Sequence, residues 1–356
     1  MGKAILSPKE RWHFTLSHHT PDRPPIDFHS VEIIRDRLQH HFKNTRKSDN
    51  SLEVLLNVDF RYIQTPYIGQ RPPIPAGCEG VDMWGAGYSR HNEAFPQEVS
   101  YLPWANIESE DQLKDIPWPS INDFDFSTIY EQCKNNASYV TVLGQAGCFD
   151  VLNGVGARRR GYEKVMFDIM TQDKIGITLI DRSLDFHYEL LKRGLEAGRG
   201  LVDVLYIGED CGCQNGPIFP PEIFKSFFVP RLKRFTDLAH HYHAACRLHS
   251  CGSTRQIIPF FINDIRLDIL DAVQPEPAGM EPAGLKRDFG DRITFSGMLS
   301  LQKTFARGNP DDCRKEAEYL IKTIGKDGGY IFTPPNTFTM DTPIANILAA
   351  YETVNE

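Results

Sequence analysis

Residues 202–252 read VDVLYIGEDCGCQNGPIFPPEIFKSFFVPRLKRFTDLAHHYHAACRLHSCG, and the order of patterns within them decides the fold. A short apolar run, VDVLYIG, is followed by a polar loop and then by PPEIFKSFFVPRLKRFTDLAHHYH. That segment opens with Pro at its first turn and carries Ile223, Phe227, Phe228, Leu232, Phe235 and Leu238 on the helical repeat. A second apolar run, AACRLH, comes next. Two apolar runs separated by one amphipathic helix are the signature of parallel strands joined by a crossover, and such strands normally lie side by side.

The same alternation extends in both directions. Strand candidates are YVTVLG, VDVLYIG, AACRLH, LDILDAV, RITFSGM and GYIFTP, with an earlier one at LEVLLNVDF. NPDDCRKEAEYLIKTIGKDGG has an acidic start and Gly at its end, as helix dipole and capping rules prefer. Six strands with crossover helices and a seventh before them predict a (β/α)8 TIM barrel. The expected organisation is an N-terminal helical cap over 1–50 and one barrel domain over 51–356. The latter includes an irregular insertion over 61–119, dense in Pro, Gly and aromatics, as functional loops or lids often are. No G-x-G-x-x-G follows a strand and no G-x-x-x-x-G-K-[ST] exists, so nucleotide phosphates have no evident cradle.

Composition narrows the function. The chain has 356 residues, 41% hydrophobic and 24% charged, ordinary for a soluble globular protein. Thirty-nine Lys and Arg against 47 Asp and Glu give a net charge of -8, which argues against a nucleic-acid binder. No uncharged apolar run approaches the length of a membrane span and the first residues lack a signal-type apolar stretch, so a cytoplasmic protein is expected. Eight Cys are too few for a disulfide scaffold in a chain this long; reduced thiols or metal ligands are the expectation.

Catalytic groups of a barrel sit just beyond the carboxyl ends of the strands. Those positions hold Asp59, Arg61 and Tyr62 after the first strand candidate, and Glu209, Asp210, Cys211, Cys213 and Gln214 after VDVLYI. His249 and Cys251 follow AACRL, Gln274 follows LDILDAV and Asn336 follows GGYIF. EDCGCQ and HSCG belong to neighbouring strands, so thiol and imidazole groups face one rim. Such groups are preferred zinc ligands, and a catalytic zinc uses three and keeps a position open; the alternative for any one Cys is simple packing. Trp84 and Tyr62, with Tyr67 and Tyr88, suit a flat or apolar substrate. Arg158, Arg159 and Arg160 read as a surface charge run, with anion binding as the alternative. The His40 and His240 groups read as solvated helix ends.

At these same residues the chain resembles the uroporphyrinogen decarboxylase superfamily, and within it the corrinoid-dependent methyltransferases. The resemblance rests on HTPDRPPID, DMWG, SEDQLKDIPWP, GEDCGCQNGPIFPPEIFKSFFVPRLKR, RLHSCGSTRQIIP, DAVQPEPAGMEPAGLKRDFGDRITFSGM and GGYIFTPPNTFTMDTP. It implies a barrel, a zinc ion held partly by His249 and Cys251, and a corrinoid such as cobalamin, free or carried by a partner protein. The further Cys usual after the last strand of that branch is replaced here by Asn336. Cys211 or Cys213 is therefore expected to supply the third ligand, with Glu209 or Asp210 as proton donor. The substrate side is expected to be a small methylated ether, amine or thiol. Decarboxylation of a tetrapyrrole is the alternative within the family, although an Arg-rich N-terminal block for its carboxylates is lacking. A non-catalytic corrinoid- or tetrapyrrole-binding module is the other.

Overall fold

A computed structural model describes residues 5–46, 50–89 and 98–356. Parts of the expected cap (1–4, 47–49) and of the irregular insertion (90–97) lie outside the described residues. One parallel sheet contains β1 (Phe60–Ile63) and, after β2 (Gly80–Val81), β3 (Gly87–Ser89) and β4 (Glu98–Tyr101) of a separate small sheet, the strands β5 (Val140–Phe149), β6 (Val204–Gly208), β7 (Ala245–His249), β8 (Ile269–Val273), β9 (Thr294–Met298) and β10 (Tyr330–Thr333). Their order is β1-β5-β6-β7-β8-β9-β10, all parallel. Residues 25–28 sit between the two edge strands. Asp27 N–H donates to the Phe332 carbonyl at 3.0 Å, Phe332 N–H to the Pro25 carbonyl at 2.8 Å, and Asp59 N–H to the Ile26 carbonyl at 2.8 Å. This extended piece from the N-terminal region occupies the remaining place in a TIM-barrel ring, so that region does more than cover the barrel.

The six later strand expectations hold. The first does not: residues Leu52–Leu55 form a helical turn, Asn57 takes φ 53°, and the strand begins only at Phe60. Leu52 and Leu56, both buried, are spaced as on a helix, whereas Val58 and Phe60 are spaced as on a strand. An apolar run that contains both spacings cannot be divided by hydrophobicity alone. The helix after β6 is also more broken than its stripe suggests, with a π-helical stretch at Phe224–Phe228 before Val229–His241.

One contiguous core runs from Trp12 to Val354. The insertion folds by aromatic packing rather than by periodic strands, because β2, β3 and β4 have only two to four residues each. Trp84 meets Trp104 and Trp118 edge-on, both at 5.9 Å, and Phe186 of the helix Lys174–Gly198 at 4.7 Å. All eight cysteines are free. Among the described residues no helix is long and apolar enough to cross a membrane.

Candidate active site

A cavity of about 750 Å³ opens at the carboxyl ends of the strands. Its walls bring together residues far apart in the chain, among them Asp27, Tyr62, Trp84, Asp150, Tyr206, His249 and Asn336. The register pairs Gly208 with His249 and His249 with Asp271, so the ends of β6, β7 and β8 are consecutive on the rim.

His249 is held from below. Its Nδ1 lies 3.2 Å from the Tyr206 hydroxyl and 3.6 Å from Asp271 Oδ2, and Tyr206 donates to that same carboxylate at 2.8 Å. Asp271 also accepts from Arg247 Nη2 and from Ser296 Oγ, both at 2.6 Å. Arg247 in turn donates to Asp27 at 2.8 Å, and Asp27 accepts from the Tyr62 hydroxyl at 2.6 Å. Burial opposes the charge on Asp27 and Asp271, yet His29 and Arg247 hold the first, and Arg247 and His249 the second, below the usual carboxylate range. Burial likewise opposes charge on His249, but Asp271 and Cys251 outweigh it and carry the imidazole up to about 10. The surroundings therefore favour a cation at this point.

With Nδ1 committed, Nε2 faces the cavity. It lies 3.5 Å from Cys251 Sγ and 4.0 Å from Asp210 Oδ1. Asp210, His249 and Cys251 form a group whose ligand atoms lie within 4.8 Å of one another, the candidate metal group found among the described residues. A tetrahedral zinc with bonds of about 2.0–2.3 Å sets neighbouring ligands roughly 3.3–3.7 Å apart; the thiol and imidazole already stand at that spacing, and the carboxylate, 4.0 Å from the imidazole, would have to move in. Carboxylate on histidine's far nitrogen is the arrangement that fixes a metal-binding imidazole. Asp210 is itself held, accepting from Cys251 N–H at 2.9 Å and from Asn153 Nδ2 at 2.9 Å. Asn336 Nδ2 contacts Cys251 Sγ at 3.9 Å.

The other expected residues fall elsewhere. Cys211 is buried with its thiol on the Glu209 carbonyl at 3.3 Å, and burial pushes that thiol well up. Cys213 is exposed and bonds the Gly216 carbonyl at 3.2 Å. Neither joins His249; the group that stands with His249 and Cys251 is Asp210. Glu209 is buried and accepts the Val151 and Leu152 N–H groups, and burial with the nearby Asp150 raises it well above the usual range. It anchors the π-helical stretch Val151–Arg160 instead of facing the cavity. Gln214 is exposed, and Gln274 caps Gly252 N–H at 3.2 Å.

Asp59 and Arg61 lie away from the cavity because β1 starts later than expected. Asp59 pairs with Arg11 and Arg23 at the opposite end of the barrel, and Arg61 donates to the Val58 and Phe60 carbonyls while stacking 3.6 Å over Tyr139. Tyr62, Trp84 and Asn336 do line the cavity. The arginine run is not a surface run: Arg159 and Arg160 are buried, and Arg158 and Arg159 line the cavity. Sequence reasoning passed over Arg247 and Asp271, although a charged residue inside an apolar strand run is a readable signal. Asp150 offers none; burial lifts it to about 6 against Arg158 and Arg159.

Comparison with known proteins follows this geometry. The family model described as uroporphyrinogen decarboxylase matches residues 107–356. No curated protein matches the chain. Among solved structures, a methyltransferase from Methanosarcina mazei superposes with a TM-score of 0.67 at 16% identity, over 98% of this chain and 98% of its own. At that identity the likeness is one of fold. The IOLI protein with a bound zinc atom reaches a TM-score of only 0.32 at 13% identity, over 72% of this chain and 84% of its own, and carries no argument.

Proposed function

The chain belongs to the uroporphyrinogen decarboxylase family, and from that premise we propose that it is a methyltransferase moving a methyl group between a small methylated compound and a corrinoid, with zinc held by Asp210, His249 and Cys251. The observation that carries the reading is the convergence of one thiol, one imidazole and one carboxylate on the cavity rim, with the imidazole fixed through its far nitrogen by Asp271 and Tyr206. The fold likeness to a methyltransferase supports it.

The chemistry a zinc ion supplies at such a site is Lewis acidity toward a coordinated thiol or ether oxygen. Asp271 and Tyr206 keep His249 Nε2 directed at the rim. Cys251 N–H and Asn153 orient the Asp210 carboxylate, which reduces the motion lost when a ligand binds. Asp150, on the same cavity wall and lifted to about 6, can hold a proton near neutral pH and deliver it to a leaving oxygen or amine. That replaces the donor role expected of Glu209. The corrinoid would reach the cavity mouth free or on a partner protein. A tetrapyrrole's acetate and propionate groups would need more positive charge than Arg158 and Arg159 supply, since Arg35 is already paired with Glu53 and Arg247 with Asp27 and Asp271.

The test is elemental analysis of the purified protein beside H249A, together with transfer of methyl groups from a donor panel to cob(I)alamin, read by absorbance. Stoichiometric zinc lost in H249A and methylation from one donor class are expected. Zinc no higher than in H249A, with no methylation from any donor, sinks the reading.

A further inference from the structure

Three consecutive arginines sit in the π-helical stretch Val151–Arg160, and the structure treats them differently. Arg160 is matched in the ordinary way: it pairs with Asp168 through Nε and Nη2, and Nη1 donates to the Ile107 carbonyl at 2.8 Å. Arg159, only 4% exposed, has no such match. Its Nη1 donates to the Ser183 hydroxyl at 2.9 Å, its Nε is buried with no acceptor, and its guanidinium lies 3.9 Å over the ring of Trp84. Among the described residues no carboxylate lies within ion-pair distance of Arg158 or Arg159. The acids that face them are Asp82, whose Oδ1 is taken by the N–H groups of Trp84 and Ala86, and Asp150. The other titratable neighbour, His187, is kept neutral at about 3 by burial and by Arg159 itself.

Arg158 is exposed, adjoins Arg159 in the chain and lines the same cavity. A guanidinium that is dehydrated, stacked and short of acceptors leaves the desolvation of its charge uncompensated unless an anion arrives. We propose that Arg159, assisted by Arg158, is the binding site for a carboxylate group on the small-molecule substrate of the cavity. This deepens the methyltransferase reading and rests on it for the word substrate, but the binding itself does not. A singly charged group fits better than a phosphate dianion, because Asp82 and Asp150 already offset part of the positive charge. The burial that drives the Arg159 guanidinium down to about 9 acts in the same sense, since an arriving carboxylate would relieve it.

The experiment measures binding of acetate, benzoate and 4-methoxybenzoate, each beside its amide, to the whole protein by calorimetry. At least one carboxylate is expected to bind saturably and at least about tenfold tighter than its amide, the margin of one charge-assisted pair. R158A, whose side chain is exposed, is expected to fold and to weaken the carboxylate several-fold while leaving the amide unchanged. R159K, which keeps the charge but loses the fork, is expected to weaken it more. Equal affinity of every carboxylate and its amide, no saturable carboxylate binding, or undiminished binding in R158A and R159K would each overturn the proposal. Binding that behaves as expected while no methyl group reaches cob(I)alamin from 4-methoxybenzoate or any other donor would indict the methyltransferase reading alone.

Discussion

Where the barrel strands begin, Asp59, Asp203 and Asp268 each stand one residue before a strand and do the same work. Their carbonyls accept from the next strand, at Val140, Ala245 and Thr294, and their carboxylates accept from the preceding one, at Ile26, Thr141 and Cys246. Each also meets a basic partner: Arg11 and Arg23, Lys9, and His240. Where the strands end, the accounts are left open. Asp150 is lifted to about 6, and Arg159 Nε lacks an acceptor. A buried acid or guanidinium left without a matched partner persists only where the surrounding structure holds it. Asp59 and Asp150, each beside a strand end, thus differ: the first is matched by two arginines and the second is left raised, and the end of the strand at which each stands sets its partners.

The largest expected effect breaks the paired end. D59A leaves Arg11 buried with only Asp22 and removes a partner of Arg23, so it should lower unfolding free energy by about 3–5 kcal/mol, the usual cost of stranding a buried charge. Urea denaturation measures it, and a loss below about 1 kcal/mol would show that the paired end does not carry the barrel.

The next contrast is in pH. Asp150 has a folded value raised from 3.8 to about 6, so its contribution to stability is complete below the ordinary carboxylate range and is lost as pH rises through about 6. D150N should remove that loss. It should gain relative to the parent between about pH 4 and pH 8 by up to about 3 kcal/mol, from about 1.4 kcal/mol per pKa unit. Asp22 at the other end is lowered, because Arg11 and two backbone N–H groups outweigh its burial. Its contribution is present above the ordinary carboxylate range and lost on acidification, so D22N should show the opposite slope in the same denaturation series.

How much of this was legible follows from the physics of each signal. Strands β5 to β10 were readable because each is an apolar run between breakers, followed by a long amphipathic helix. The mixed spacing in 52–60 hides the start of β1, and with it the fact that Asp59 stands before the strand and Arg61 within it. His249 and Cys251 were readable as a pair at a strand end. The sequence marks Asp210 as an acid but does not place it beside His249 and Cys251, because whether a side chain in a short loop turns to the rim or into the core depends on bonds to Cys251 and Asn153 that have no sequence period. The burial of Arg159 is a matter of what the Trp-rich insertion packs against, which no local pattern reports.

A smaller effect tests the support beneath His249. Y206F removes the hydroxyl that donates to Asp271 and lies 3.2 Å from His249 Nδ1, while keeping the ring. Zinc affinity measured by chelator competition should fall by about tenfold, as for other partners of metal-bound imidazoles, with a stability change near 1 kcal/mol. Unchanged affinity would mean that Asp271 alone orients the ring.

The smallest expected effect is the most discriminating, because it separates two donors in one loop. C213S changes an exposed thiol bonded to the Gly216 carbonyl, and C211S changes a buried thiol bonded to the Glu209 carbonyl. A serine hydroxyl can make either bond. Both variants should therefore keep full zinc, C213S within about 0.5 kcal/mol of the parent and C211S with a somewhat larger packing loss. D210N keeps the shape but removes the negative charge and one of the two oxygens that accept from Cys251 N–H and Asn153 Nδ2, and an amide oxygen is the weaker zinc donor. Zinc content and chelator competition for the three variants then decide the ligand set. Loss in D210N alone assigns the third position to Asp210. Loss in C211S or C213S with retention in D210N would require the loop to rearrange when metal binds, turning a thiol out of its carbonyl contact toward His249, and would restore the set of one imidazole and two thiolates that the resemblance implied.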